Sequence, residues 1–435
     1  MAISVDVITK PSYSDIVITD ATIATKILLA IGENKLITIT PTYAIIEKVN
    51  LKTGDISYSK DLQTLLPNSV DIENNFQVVQ QRRAKGGNIA FTLLYVKDTE
   101  SEGSRHLFMR DFVIDPSDLS VVSYGDEVQL NGDLLDKTPW GGPQPFYISR
   151  HTLFCGHWRK NNLLLIDLNA KYVKITPNYT PSGNYASVPH AILRDRTTNN
   201  LVLFMGTHYW ITGSYGYLSL INPRDLTQIE ANTSFDPGSG AFLQHMYYRD
   251  STGKVRLLVF GCSGGYPYTT YTSKWNSIYV DNDTIVGEFV VTANGNYGTF
   301  EAGNRFPHVL GVRSDGRLQL IVYGKSWGGV SSFGVSCLDV NDTLGDPANL
   351  VENSVSIDTS ELSAHMRDRI FVFLLEDDWN YYVWGGTQTI DGSPTNVVFR
   401  VSGVPDLPDP DPYGYILVPK TGLIPTNLAL TAKII

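Results

Sequence analysis

One phrase occurs three times in this chain with fixed internal spacing. Each copy starts at a histidine, runs through an apolar stretch, turns and ends on a glycine. The copies are SVPHAILRDRTTNNLVLFMG over 187–206, FLQHMYYRDSTGKVRLLVFG over 242–261 and RFPHVLGVRSDGRLQLIVYG over 305–324. His190 to Gly206, His245 to Gly261 and His308 to Gly324 are each 16 residues apart. A looser fourth copy runs from His365 to Gly385. A recurring unit constrains a fold more than any single segment does, because every copy must form the same supersecondary structure and bury its apolar face against its neighbours.

The rest of the chain reads in the same rhythm. KILLAI (26–31), the turn GEN, KLITIT (35–40), YAIIEKVNL (43–51), a second turn and ISYSKDL (55–62) predict a four-stranded antiparallel meander. FQVVQQR (76–82), NIAFTLLYV (88–96), HLFMRDFVI (106–114) and LSVVSYG (119–125) predict a second, and QPFYIS (144–149), TLFCG (152–156), NLLLIDL (162–168) and KYVKIT (171–176) a third. The three histidine phrases start units four to six. RIFVFLLE (369–376), WNYYVWG (379–385) and NVVFRVSG (396–403) form a seventh unit that stops one strand short. The third strand of successive units runs into an Asx-rich turn: VNLKTGD, VIDPSDL, LIDLNAK, LINPRDL, YVDNDT and LDVNDT. Asp and Asn there bond their own backbone and set up the hairpin.

Seven such units predict an all-β, seven-bladed β-propeller of four-stranded blades over residues 1–404. The unpartnered stretch DIVITDA (15–21) is expected to supply the missing outer strand of the last blade, closing the ring and removing an open edge. The tail, 405–435, begins PDLPDPDP and ends apolar. It reads as a Pro-rich extended arm that either packs back on the ring or docks on a partner.

A formal net charge of −10 argues against a nucleic-acid partner. Cys155, Cys262 and Cys337 form no C-x-x-C pair and no complete disulfide framework, so buried thiols are expected at two of them, with Cys262, which follows Gly261, open to partial exposure. The first residues lack a signal-peptide pattern, and no stretch reaches the ~18 apolar residues of a membrane span. A place in a virion, or outside a cell without an ordinary signal peptide, is expected, with the cytoplasm as the alternative.

In a propeller the loop entering each first strand and the loop between strands two and three open on one face. His190, His245, His308 and His365 are therefore expected near one mouth of the channel. One reading makes them structural, copied with the unit and bonding backbone in the next blade. The sharper reading is a metal site, since imidazoles from several strands can hold iron or zinc. Asp236, Glu301, Asp358 and Glu361 precede the histidines, and a pair of carboxylates there is what glycoside hydrolysis needs. Tyr209, Trp210, Tyr266, Tyr268, Tyr271, Trp275 and Trp327 fall in THYWITGS, CSGGYPYTTYTSKW and KSWGGVSS, read as loops of that face, along with TQTIDGSP (387–394). Aromatic rings in such loops stack on sugars or anchor a partner. No nucleotide, EF-hand or zincin motif appears, and no cofactor is called for.

The histidine at the head of an inner strand resembles the carotenoid-cleaving oxygenases, which are seven-bladed propellers with four axial histidines, although none of that family's other motifs is present. The low-Cys, low-charge, Tyr/Gly/Asn-rich β composition with an apolar end resembles β-propeller proteins of the bacteriophage tail-tip, nozzle or receptor-binding type. That resemblance implies a non-enzymatic structural or recognition component of a larger assembly. It would bind a neighbouring protein or a surface glycan through its aromatic face and dock through 405–435. The alternative is a propeller enzyme with its site at the channel mouth: a polysaccharide hydrolase or lyase using carboxylates, or a histidine-ligated metal oxygenase.

Overall fold

The structure, a computed structural model, describes residues 4–16, 26–31, 34–40, 44–66, 77–98, 105–132, 146–149, 151–156, 163–177, 179, 186–208, 215–232, 242–249, 255–263, 272–294, 304–312, 318–325, 331–338, 355–358, 371–375, 380–390, 393–402 and 423–425. Among them the chain is nearly all β, in seven separate, mainly antiparallel sheets.

The first strand, β1 (Ser4–Pro11), belongs to the last sheet. The first sheet in chain order is the expected meander of β2 (Lys26–Ile31), β3 (Lys35–Thr40), β4 (Ile45–Asn50) and β5 (Ile56–Ser59). A short helix, α1 (Asp61–Leu65), follows and buries Leu62. The second sheet holds β6 (Gln77–Arg83), β7 (Ile89–Asp98), β8 (Arg105–Ile114) and β9 (Val121–Tyr124), and β10 (Val128–Gln129) returns to pair with β8. The next residues, β11 (Asn131–Gly132), lie parallel to the outer strand of the third sheet, so 128–132 stitch one sheet to the next. Gly132 is required there: a Cβ would stand 1.9 Å from the Val173 carbonyl oxygen.

The third sheet is β12 (Phe146–Tyr147), β13 (Thr152–Gly156), β14 (Leu163–Asp167) and β15 (Tyr172–Ile175). The fourth is β16 (Ala186–Arg194), β17 (Leu201–His208), β18 (Tyr215–Ile221) and β19 (Gln228–Asn232). The fifth is β20 (Phe242–Arg249), β21 (Val255–Ser263), β22 (Thr272–Asp281) and β23 (Thr284–Asn294). The sixth is β24 (Asn304–Val312), β25 (Leu318–Lys325), β26 (Ser331–Leu338) and β27 (Val355–Asp358). The three cysteines fall in β13, β21 and β26. The seventh sheet combines β28 (Phe371–Leu375), β29 (Tyr381–Ile390) and β30 (Ser393–Ser402) with β1 on one edge and β31 (Leu423–Pro425) on the other.

Two expectations are corrected here. The strand that completes the last sheet is Ser4–Pro11, paired from Ser4↔Ser402 to Pro11↔Thr395, and not 15–21. Asp15 and Ile16 are outside any strand, and 17–21 lie outside the described residues. Asp15 is instead drawn to the first sheet by Tyr58 and Lys60, which places it past the crossing from one sheet to the other. The stretch 387–394 is not a loop either. β29 and β30 cover its described residues, 387–390 and 393–394, with Ile390 opposite Ser393.

The core lies between consecutive sheets. Ile37, Ile39 and Ile46 of the first sheet pack with Phe91, Tyr95 and Phe112 of the second. Leu94 and Met109 of the second meet Leu164 and Val173 of the third. Phe154 and Leu163 of the third meet Leu203 and Ile221 of the fourth, and Phe204 and Leu220 of the fourth meet Leu257 and Ile278 of the fifth. Beyond that, β24 lies beside β20, and β27 beside β1. The first and last sheets also pack together, Leu36 and Val49 against Tyr382, Trp384 and Val398.

Four of the six expected Asx turns form; in YVDNDT, Asn282 and Asp283 instead turn at left-handed φ of 47° and 61°, and 339–343 of LDVNDT lie outside the described residues. Asn50 Oδ1 accepts the Lys52 amide at 3.0 Å, Asp115 Oδ1 the Ser117 amide at 2.7 Å, Asp167 Oδ1 the Ala170 amide at 2.9 Å and Asn222 Oδ1 the Arg224 amide at 2.9 Å.

Candidate functional site

The repeated histidines occupy matching places in the fold. His190 is the fifth residue of β16, His245 the fourth of β20 and His308 the fifth of β24. Each of these is the first strand of its sheet, and β20 lies beside both β16 and β24, with Cα atoms of adjacent strands within 8 Å. His245 stands opposite Val259 and His308 opposite Ile321. His190 falls at a break in register between Pro189 and Ala191. First strands carry similar breaks at Ile27/Leu29, Val79/Arg82 and Val309/Gly311. Bulges of this kind re-aim side chains and are over-represented beside active sites.

The remaining expected site residues divide. Trp275 is not in a loop: it is the fourth residue of β22, opposite Phe260 and Val291. Asp358 ends β27, the outermost strand of its sheet, opposite Ser332. His365, Tyr209, Trp210, Tyr266, Tyr268, Tyr271, Trp327, Asp236, Glu301 and Glu361 lie outside the described residues.

The structure adds a polar row that the sequence reading passed over. Thr92 is fully buried, stands opposite both Val79 and Asp111, and bonds the Asp111 carboxylate. Gln80 bulges out of β6 at a left-handed φ of 51°, its amide N–H bonded by the Tyr147 hydroxyl oxygen at 2.6 Å and its side-chain nitrogen 3.1 Å from His151 Nδ1. Non-glycine residues in this conformation cost ~1–3 kcal/mol and persist only where surroundings over-determine them. Here the clamp comes from the next sheet. The signal in the sequence was the pair of polar breaks in apolar strands, Thr92 in IAFTLLYV and Asp111 in FMRDFVI.

A second polar joint spans the fourth and fifth sheets. Asp195 Oδ1 accepts the Thr197 amide at 2.7 Å, while Oδ2 accepts the Asp283 amide at 2.7 Å. Asp283 Oδ1 in turn accepts the Asn200 amide group at 2.8 Å. Burial alone would lift the Asp195 carboxyl, but the amides of Asp283, Thr197 and Thr198 outweigh it and hold it below the usual range. These joints are saturated by protein groups and join neighbouring sheets. The gathered first strands are where chemistry-bearing residues repeat. Among the described residues no helix is long and apolar enough to cross a membrane.

No family model and no curated protein matches the sequence. Solved structures resemble it in shape only distantly. The alpha-L-arabinanase of Penicillium chrysogenum, solved with arabinobiose, is 9% identical over 77% of this chain and 95% of that one, with a TM-score of 0.37. The intramolecular trans-sialidase of Ruminococcus gnavus is 7% identical over 69% and 90%, TM-score 0.37. A Synechocystis apocarotenoid oxygenase is 11% identical over 77% and 74%, TM-score 0.37. Nothing among these likenesses is a tail or receptor-binding protein, and those with named activities are mostly enzymes. The expectation of a non-enzymatic assembly component is corrected on that finding. At such identities and TM-scores the likeness is one of shape alone, and the seven mainly antiparallel sheets by themselves describe a nearly all-β chain.

Proposed function

We propose that the chain is a seven-bladed propeller enzyme whose site lies where the first strands β16, β20 and β24 gather. The ring reading is supported by the packing of each sheet against the next and of the last against the first, with β1 completing the seventh blade. The observation that carries the site is the placement of His190, His245 and His308 at matching depth in three neighbouring first strands. Three neutral imidazoles suit zinc, iron or copper. β20 lies beside both β16 and β24, so the three strands adjoin. These three residues would hold such an ion, and the ion would supply Lewis-acid polarisation of a bound substrate.

The substrate we propose is a sugar-like molecule. Tyr209 and Trp210 follow β17, Tyr266, Tyr268 and Tyr271 stand between β21 and β22, and Trp327 follows β25 in the sequence. These are the three histidine-bearing units, and aromatic rings stack on the apolar faces of sugars. Carboxylate-only hydrolysis gains less support: Asp358, the described member of its four candidates, is three strands away from β24.

Elemental analysis of the purified protein after loading with zinc or iron tests the reading. One equivalent of bound metal is expected, lost in a His245→Ala/His308→Ala double variant that keeps the parent's circular dichroism. A chain that binds no metal, or a double variant that binds as much, sinks it.

A further inference from the structure

Side chains of the second and third sheets meet in one continuous polar row. Thr92, in mid-β7, is fully buried, and its hydroxyl bonds the Asp111 carboxylate of β8. On the other side the Gln80 side-chain amide spans a gap between sheets. One end lies 3.5 Å from Thr92 Oγ1 and the other 3.1 Å from His151 Nδ1. The row thus runs Asp111, Thr92, Gln80, His151, from β8 across β7 and β6 to the turn between β12 and β13. Asp111 is exposed, while Gln80 and His151 are half-buried, so the histidine end reaches solvent.

The available protons give this row a direction. Thr92 has one, and the carboxylate, which can only accept, takes it. Toward Gln80 the Thr92 oxygen is then an acceptor, which calls for the amide NH2 on that side; the opposite setting leaves oxygen facing oxygen. The two ends of an amide have the same shape and take their identity from their partners. With its NH2 toward Thr92, Gln80 turns its oxygen to His151 Nδ1, and that nitrogen must carry the ring proton. Nε2 is then the ring nitrogen with the free lone pair. The backbone holds Gln80 in place for this: the Tyr147 hydroxyl oxygen accepts its amide N–H at 2.6 Å, and its φ of 51° is a strain that persists only where the surroundings impose it. An imidazole oriented by one group, itself oriented by another, is how proteins prepare a base.

We infer that His151 is a proton acceptor presented to solvent by this row. Asp111, Thr92 and Gln80 are positioning residues, and Nε2 accepts the hydrogen bond of a ligand hydroxyl. The inference uses only contacts within the second and third sheets. It depends neither on a closed ring nor on metal at His190, His245 and His308.

NMR of the full-length protein with nitrogen-labelled histidine reads the tautomer, the His151 signals being those lost in His151→Phe. The proton is expected on Nδ1; a proton on Nε2 overturns the inference. Diethylpyrocarbonate, which acylates an unprotonated ring nitrogen, then probes Nε2, with rates read residue by residue by mass spectrometry. In Thr92→Val the freed amide can turn its NH2 to Nδ1 and force the proton onto Nε2. The His151 rate should fall by up to about fivefold, the factor carried by one ordinary hydrogen bond. Thr92→Ser keeps the hydroxyl and should keep the parent's rate. His106, on β8, should be unchanged throughout. Should Thr92→Val fail to fold, Gln80→Leu, at the half-buried bulge, removes the acceptor for Nδ1 and should give the same fall. An unchanged His151 rate in a folded variant means that the row only fastens two sheets together, and the inference fails.

Discussion

Asn396 of the last sheet donates from Nδ2 to the Gly54 carbonyl of the first sheet at 2.6 Å, across 342 residues of sequence. Its Oδ1 accepts the Trp384 indole N–H at 2.8 Å, and both side chains are buried. One amide thus satisfies a donor in its own sheet and an acceptor in the first sheet. Asn396→Ala strands both groups in the dark, at about 1–3 kcal/mol for each buried polar group left unpaired. Thermal denaturation should show a lower Tm for Asn396→Ala than for Trp384→Phe, which removes the indole donor but keeps the Gly54 bond. Equal losses would mean the cross-sheet bond contributes little.

Asp195 and Asp283 form the other joint that a single side chain can break. Asp195→Ala removes the acceptor for the Thr197 and Asp283 amides at once and is expected to cost about 2–4 kcal/mol, as for buried networks cut at one partner. The pH dependence has a definite sign. The folded carboxyl is held below its ordinary range, so its contribution is present above the unfolded value of 3.8 and is lost as pH falls through the folded one. Asp195→Asn should flatten the acid limb of the stability curve below about pH 4. An acid limb unchanged in that variant would remove the claim.

The turns and most strands were legible because each carries a local signal: an apolar run, then Asn50, Asp115, Asp167 or Asn222 bonding its own backbone. The edge of the last sheet was not. DIVITDA is denser in apolar residues than SVDVITKP, but an outer strand needs only one covered face. β1 accordingly packs Ile8 against the seam while Val7 stays 41% exposed. Selection there comes from register with β30 and from Arg400, which binds Asp6. The two-residue strands β10 and β11 and the three-residue β31 are too short to show any period. The histidines were found by repetition; that their strands adjoin came only from the structure. Trp275 was misplaced because the apolar run that marks β22 starts after it, at Ile278.

Four positions share one turn geometry, and the three that are not glycine should not respond alike to it. Leu119, Lys171 and Leu226 have φ of 68°, 53° and 65°, at the place where Gly54 has 76°. The left-handed conformation costs an L-residue about 1–2 kcal/mol, which glycine removes. Lys171 is exposed and has nothing to lose, so Lys171→Gly should stabilise by up to ~1 kcal/mol. Leu119 and Leu226 are buried between sheets, and losing that packing costs ~2–5 kcal/mol. Leu119→Gly and Leu226→Gly should therefore destabilise on balance, by a lowered urea midpoint with unchanged slope. A stabilised Leu226→Gly would show that strain outweighs burial at this turn.

Glu47 provides the alkaline counterpart to Asp195. It lies in mid-β4, buried, with the Thr38 hydroxyl donating to Oε2 at 2.9 Å. Thr38, Glu47 and Tyr58 are cross-strand partners on the face that meets Tyr13 and the last sheet. Burial pushes its carboxyl from 4.5 up to about 8. A raised folded value means the folded chain keeps a proton that the unfolded chain gives up. The contribution is therefore complete below about pH 4.5, declines as pH rises, and is gone above about pH 8. Each unit in that window costs up to ~1.4 kcal/mol. Of the charged groups nearby, Asp15 and Lys60 pair with each other at the exposed end of the seam, and Arg400 pairs with Asp6. Glu47→Gln keeps the shape and an acceptor for Thr38 but cannot ionise. Denaturation midpoints measured from pH 5 to 8 should fall for the parent and stay level for Glu47→Gln, so that the two curves cross or diverge toward alkaline pH. Parallel curves would place the ionised carboxylate comfortably inside the seam and refute the assignment.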